Sequence, residues 1–346
     1  MIHYPITSAA PRAVFLVGAL FILASTCSGD DPSPATQGVL SGVSVDPGLS
    51  AREDAPELAR FDYAEARFSW ELAGLADFPS YRVFHLTFPS PYTSPVKENN
   101  TVHAEFHLPN GSGPFPAVVI LHILDGRLAV SRLIAGAYAP QGIASLIVTM
   151  PYYRERRLPD SPRQGFVSED LDRLADAVRQ AVMDTSRAGA FLRGHPAIDP
   201  ERVGLIGTSL GGIVGSVAAA ADARFRRVVL ILAGGGLADI LYGAPETSEV
   251  RKRLEARGLD VAAVRAKLEV VDPLTYARRI GPGRVLLVNA TQDATVPPSS
   301  ARALAEAIPA TDQLWYPATH EGLVAHVPEI LEKARLWLFP TQGGHY

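Results

Sequence analysis

The chain has 346 residues, 47% of them hydrophobic, enough to bury one large core, and nothing in its length calls for a second globular body. Its formal net charge is −4 and its arginines are scattered instead of gathered into a stripe, which disfavours a nucleic-acid partner. Cys27, the single cysteine, excludes an internal disulfide, and no Cys/His set has zinc-ligand spacing, so neither a metal nor another cofactor is expected.

The first feature along the chain is "AVFLVGALFILA", residues 13–24, preceded by Arg12 and followed by "STCSGDD". The run is short for a membrane span but suits the core of a signal peptide. Cys27 follows it directly, and the segment resembles the lipobox of bacterial lipoproteins, with Ala24 and Thr26 where that pattern prefers Leu, Val or Ile and Gly, Ala or Ser. Residues 1–27 are therefore read as a signal peptide with Cys27 as the lipidation site. The expected product is an exported lipoprotein, periplasmic or at the cell surface, touching the membrane only through this anchor; simple secretion and an uncleaved anchor are the alternatives. Residues 28–54, rich in Gly, Ser, Pro and Asp, read as a flexible linker to a folded domain over 55–346.

Large apolar residues mixed with charges from Ala55 to about Leu75 predict a helical lead-in. "YRVFHLTFPS" and "TVHAEFHLP" then alternate like strands of an antiparallel opening meander. From "FPAVVILHI" (115–123) the pattern becomes strand, helix, strand. A helix over about 128–140, the strand "IASLIVTM" (143–150), a long helix over about 168–193 and the strand "RVGLIG" (202–207) follow in turn. After them come a helix to about Ala221, the strands "RVVLILA" (227–233), "RVLLVNA" (284–290) and "QLWYP", and a closing helix over about 323–338. Continuous apolar strands alternating with helices indicate an α/β fold with a mostly parallel central sheet covered by helices on both faces. Residues 236–280 interrupt the alternation with a charged, helix-prone insert, readable equally as a lid or as a solvated surface excursion.

Within this pattern "VGLIGTSLGG", residues 203–212, places Ser209 on a strand-to-helix turn with Gly207 and Gly211 two residues to either side. That is the G-x-S-x-G spacing of a nucleophile elbow, where a side chain at either flank would collide with the neighbouring strand and helix. A bare serine is a poor nucleophile and requires a histidine base oriented by an acid. Asp293 in "TQDATVPP" and His320 in "ATHEGL" each follow a strand, so a parallel sheet delivers both to the edge that carries Ser209. Asp272 is a competing acid, disfavoured because it lies in the insert. His122 ends a strand and reads as a hydrogen-bonded structural histidine, Asp199 as a turn former, and His326 as a residue of the closing helix. Tyr152, Tyr153 and Arg154, in "MPYYRERR", follow a core strand on the same edge and are candidates for the pocket mouth, with ordinary loop packing as their other reading.

The chain resembles the α/β-hydrolase superfamily over roughly residues 100–340. "IDPERVGLIGTSLGG" looks like the elbow region of dienelactone-hydrolase-like and acetyl-xylan-esterase-like members, "NATQDATVP" like their acid loop and "PATHEGL" like their histidine loop. The resemblance implies an α/β-hydrolase fold with a small helical insert and a Ser209–Asp293–His320 triad. "ILHILDG" falls at the oxyanion position, with Ile123 where members often carry glycine. The oxyanion donors implied are the N–H of Leu210 and that of Leu124 or Ile123, Leu124 first. The activity implied is hydrolysis of a carboxylic ester, in a small molecule or derived from a polymer, through an acyl-enzyme. The alternatives are a thioesterase or peptidase of the same fold, or a non-catalytic hydrolase-fold lipoprotein, for which a missing triad member would be the signature.

Overall fold

The computed structural model describes residues 33–34, 38–158 and 165–340. The run at 13–24 and Cys27, on which the signal-peptide and lipidation readings rest, lie outside the described residues. Those residues hold β1 (Ser33–Pro34), β2 (Val39–Asp46), β3 (Ala66–Asp77), β4 (Tyr81–Pro89), β5 (Thr101–Pro109), β6 (Phe115–Leu121), β7 (Ala144–Val148), β8 (Ile198–Thr208), β9 (Val228–Ile231), β10 (Val285–Ala290) and β11 (Asp312–Tyr316). They form one sheet in the order β1-β3-β4-β5-β7-β6-β8-β9-β10-β11, with β2 also paired to β3. The block from β7 to β11 is parallel, and β5 joins it antiparallel through Ala104 opposite Val148.

Alternate residues of the parallel strands enter different cores. Val119 and Leu121 of β6 lie in the larger cluster and Val118 and Ile120 in the smaller, one on each face of the sheet. Helices cover both faces: α1 (Ala129–Tyr138), α2 (Leu171–Gly194), α3 (Leu210–Ala221), α8 (Pro298–Ala307) and α9 (Val327–Leu338). This is the expected α/β-hydrolase architecture. The long α2 begins where Asp170 Oδ1 accepts from the Arg173 N–H at 3.1 Å, an N-cap that satisfies one of the helix's free donors.

Three expectations are corrected. The linker reading fails at residues 39–46, which form β2 along β3. The inward positions of β2 are Gly42, Ser44 and Asp46 because the space facing them is filled from elsewhere. Gly42 lies against the Trp70 ring, Ser44 Oγ accepts from Trp70 Nε1 at 3.1 Å, and buried Asp46 pairs with Arg187 Nε at 2.8 Å. The strand therefore has linker-like composition. The helical lead-in is also wrong: Pro56–Phe61 is a short 3-10 turn and Ala66–Asp77 is β3. Phe68, Trp70 and Leu72 recur every second residue, which sets the strand period that wins here.

The insert is four helices, α4 (Leu237–Gly243), α5 (Ser248–Ala256), α6 (Val261–Leu268) and α7 (Pro273–Tyr276). It is no solvated excursion, since Leu254, Val264, Leu268, Val271 and Tyr276 are buried in the larger core. At its base Asp272 accepts from the N–H groups of Gly236 (3.0 Å), Leu237 (2.5 Å) and Leu274 (2.9 Å), fastening the start of α4 to the start of α7.

Candidate active site

Ser209 sits between β8 and α3 with φ 54° and ψ −117°, a conformation that side-chain-bearing residues rarely adopt. The flanking glycines explain how the turn is accommodated. A Cβ on Gly207 would overlap the Gly211 carbonyl and stand 2.8 Å from Gly212 Cα. One on Gly211 would run into the Leu121 carbonyl and stand 2.8 Å from the His122 oxygen. The first contact is with the start of α3 and the second with the end of β6, so each glycine answers to a different neighbour. The Ser209 N–H donates to Ile231 O at 2.8 Å, fixing the turn to β9.

Ser209 Oγ donates to His320 Nε2 at 3.0 Å, and His320 Nδ1 donates to Asp293 Oδ2 at 2.8 Å. The other Asp293 oxygen accepts from the N–H groups of Thr295 and Val296, both at 2.8 Å. The carboxylate is thus held by its own loop and aimed at the imidazole. Ser209 is 7% exposed, and the side chains of His320 and Asp293 are 16% and 2% exposed. Asp272 takes no part, since its oxygens serve the insert's backbone.

Leu210 is the first residue of α3, where backbone N–H groups have no partner within the helix. The loop after β6 rises beside it. There His122 is fully buried, donates from Nδ1 to Ile123 O at 2.7 Å and accepts at Nε2 from the Met150 N–H at 3.1 Å. These partners assign the neutral Nδ1–H tautomer. Burial lowers the pKa of His122 to about 4, which keeps the ring in that form. Ile123 O also accepts from the Gly126 N–H at 3.3 Å. Because C=O and N–H point oppositely across a trans peptide, the Leu124 N–H is directed away from the His122 ring.

The residues expected at the pocket mouth lie elsewhere. Tyr152 and Tyr153 are buried; the Tyr152 ring lies under the Arg173 guanidinium at 4.8 Å, and the Tyr153 ring meets His122 edge-on at 4.8 Å. Arg154 lines a cavity of about 230 Å³ with His85, His103, Glu105, Arg132 and Glu155, over the antiparallel strands β4 and β5. Asp199 lies inside β8, where the register against β6 shifts between Ile198 and Val203, and its Oδ1 accepts from the Glu201 N–H at 3.1 Å. His326 ends a 3-10 turn ahead of α9 and packs on Tyr316 at 4.7 Å. Among the described residues no group of three or more His, Cys, Asp or Glu is placed to hold a metal ion. No helix there is long and apolar enough to cross a membrane. Asn99 and Arg156, which hold the Tyr152 loop, carry no motif that would have singled them out.

Comparison with known proteins gives three findings. Residues 176–320, which contain Ser209, Asp293 and His320, match the prolyl oligopeptidase family model. Acyl-coenzyme A thioesterase 1 of Rattus norvegicus is 30% identical over 131 residues, 38% of this chain and 26% of that protein. Acyl-coenzyme A amino acid N-acyltransferase 2 of Mus musculus is 30% identical over 118 residues, 34% of this chain and 24% of that protein, so the chain spans about a quarter of such relatives. Among solved structures, acetyl xylan esterase from Paenibacillus sp. R4 overlays with a TM-score of 0.63 at 19% identity, covering 78% of this chain and 88% of that one. Acetyl xylan esterase 1 from Thermoanaerobacterium sp. JW/SL YS485 overlays at 0.61 with 21% identity, covering 77% and 87%. The chain therefore has the α/β-hydrolase fold of these structures, and the part of it that holds Ser209, Asp293 and His320 is similar to the prolyl oligopeptidase family.

Proposed function

We propose that the protein hydrolyses carboxylic esters, with Ser209 as nucleophile, His320 as general base and acid, and Asp293 as the group that orients and balances the imidazole. The observation that carries this is the unbroken hydrogen-bond series from Ser209 Oγ through His320 to Asp293, at 3.0 and 2.8 Å. As Oγ bonds to the ester carbonyl carbon, its proton moves to His320 Nε2 and the carbonyl π pair becomes an oxyanion. The N–H groups of Leu210 and Leu124 stabilise that oxyanion. The tetrahedral adduct collapses as the protonated imidazole hands its proton to the departing alcohol, leaving an acyl-serine. Water, deprotonated by His320, then releases the acid and restores Ser209. The overlay on two acetyl xylan esterases, covering 78% and 77% of this chain, supports the ester reading.

Thioester cleavage is the second reading, supported by the thioesterase relatives over 38% of this chain. The same nucleophile, base and oxyanion donors serve either bond. Fluorophosphonate labelling, followed by turnover of p-nitrophenyl acetate and of its thioester counterpart, tests both. Labelling that disappears in Ser209→Ala, with faster turnover of the oxygen ester, is the expected result. A folded Ser209→Ala that still turns over either substrate at the wild-type rate overturns the assignment, because loss of the nucleophile is expected to cost on the order of 10³-fold or more.

A further inference from the structure

The connection after β7 is held more tightly than a surface loop requires. Tyr152 and Arg154 have φ of 65° and 49°, left-handed values that residues with a Cβ avoid unless their surroundings impose them. The imposing groups are buried. The Tyr152 N–H donates to Asn99 Oδ1 at 2.9 Å. Arg156, fully buried, donates to Thr149 O (2.8 Å), Asn99 O (2.6 Å) and Asp184 Oδ2 (2.7 Å). Gln180 Nε2 adds a bond to Asn99 O at 2.7 Å.

The opposite side of this loop packs on His122. The Met150 N–H donates to His122 Nε2, and the Tyr153 ring lies edge-on to His122. The same ring fills the space beside Gly126, where an added Cβ would stand 2.5 Å from it. His122 in turn holds Ile123 O, whose peptide ends in the Leu124 N–H. A continuous set of contacts therefore runs from Asn99, through Tyr152 to Tyr153 and His122, to that peptide.

We propose that Asn99, locked by buried Arg156, is a positioning residue that sets the Ile123–Leu124 peptide for oxyanion stabilisation. This rests on the assignment of Leu124 as a donor under the proposed function. Asn99 touches no reacting atom; it keeps the Tyr152 loop in its strained form, and the loop keeps His122 where its Nδ1–H can hold Ile123 O. The side chain acts as an acceptor, its Nδ2 having no hydrogen-bond partner among the described residues. Asn99→Asp therefore retains the needed function and Asn99→Leu removes it at similar volume.

The test uses the full chain with p-nitrophenyl acetate as substrate and an aryl trifluoromethyl ketone as oxyanion probe. Ser209 Oγ adds to the ketone carbon, its proton goes to His320, and the resulting hemiketal oxyanion reads the donor peptides directly. Asn99→Leu is expected to lower kcat by roughly 10- to 100-fold, less than outright loss of an oxyanion donor, with KM within about threefold. Ketone affinity falls by the same factor as kcat, and Asn99→Asp recovers both. Gly126→Ala, which pushes on Tyr153 from the other side, gives the same split and decides the matter if Asn99→Leu does not fold. A folded variant with wild-type kcat, or with reduced kcat and unchanged ketone affinity, overturns the inference. If the wild-type protein neither labels with fluorophosphonate nor hydrolyses the ester, the function reading fails first.

Discussion

Replacing Asp293 by asparagine is the sharpest perturbation of the proposed triad, because the surrounding backbone dictates which way the new amide faces. Oδ1 accepts from two N–H groups, those of Thr295 and Val296, while Oδ2 accepts from His320. Turning the amide nitrogen toward Thr295 and Val296 would leave two backbone donors opposed by a donor, at about 1–3 kcal/mol each. The amide oxygen therefore stays with the backbone and the NH₂ faces His320 Nδ1. That donor makes Nδ1 an acceptor and moves the imidazole proton to Nε2, the atom that has to take the Ser209 proton. The wrong tautomer, together with loss of the charge that balances the imidazolium, is expected to cut turnover by roughly 10²- to 10⁴-fold with the fold retained.

Asp272→Asn is the matched control. Two of its three backbone bonds, from Gly236 and Leu274, keep an acceptor, and the Leu237 N–H meets an NH₂ instead. One lost charge-assisted bond should cost about 1.5–3 kcal/mol of stability and leave turnover within a few-fold. Steady-state kinetics on one activated ester, beside urea unfolding of both variants, separates the effects. A large catalytic loss in the Asp272 variant beside a mild one in the Asp293 variant would refute the assignment of the acid.

Three further outcomes are expected. His122 titrates near 4 in the folded chain against 6.5 unfolded, so its contribution is complete above pH 6.5 and is lost as pH falls toward 4. Urea unfolding at pH 7 and pH 4.5 should show wild type losing about 2–3 kcal/mol more than His122→Gln, and equal losses would discount the buried neutral ring. Gly211→Ala forces a Cβ into the end of β6 and should cost roughly 1–3 kcal/mol while slowing fluorophosphonate labelling; wild-type labelling would mean that the elbow has room for the methyl group. Cys27→Ala should shift the protein from the membrane fraction to the soluble exported fraction with specific activity unchanged, and persistent membrane association would point to an uncleaved hydrophobic anchor.

What the sequence made legible follows from how local each determinant is. The elbow can be read from ten residues because both glycines answer to backbone that the same motif brings close, the start of α3 and the end of the adjacent β6. Asp293 and His320 were legible because each follows a strand of a parallel block, whose strand ends share one edge. The strand β2 was not, because its inward residues Gly42, Ser44 and Asp46 are shaped by Trp70 and Arg187, distant partners that the composition of residues 39–46 does not announce. The stretch 55–75 misled for a different reason. A short turn burying Leu58 and Phe61 runs into a strand burying Phe68 and Leu72, and the two periods superimposed resemble one helical face.

The pocket-mouth reading of Tyr152, Tyr153 and Arg154 shows where such inference stops. Position after a parallel strand predicts the edge on which a residue sits, but the direction of its side chain depends on the φ of each residue, and here Tyr152 and Arg154 are both left-handed. Successive side chains consequently depart in unrelated directions: Tyr152 under Arg173, Tyr153 against His122, Arg154 over the antiparallel strands. Tyr152 and Arg154 are not glycines, so nothing in their identity reports the strain. The bonds that sustain it come from Asn99, Arg156 and Asp184, which are brought together only when the turn before β5 and the long α2 pack beneath the loop. A hydroxyl nucleophile announces itself through the small residues it requires on either side. The peptide that would stabilise its oxyanion is held by polar groups scattered from residue 99 to residue 184, and only the folded chain assembles them.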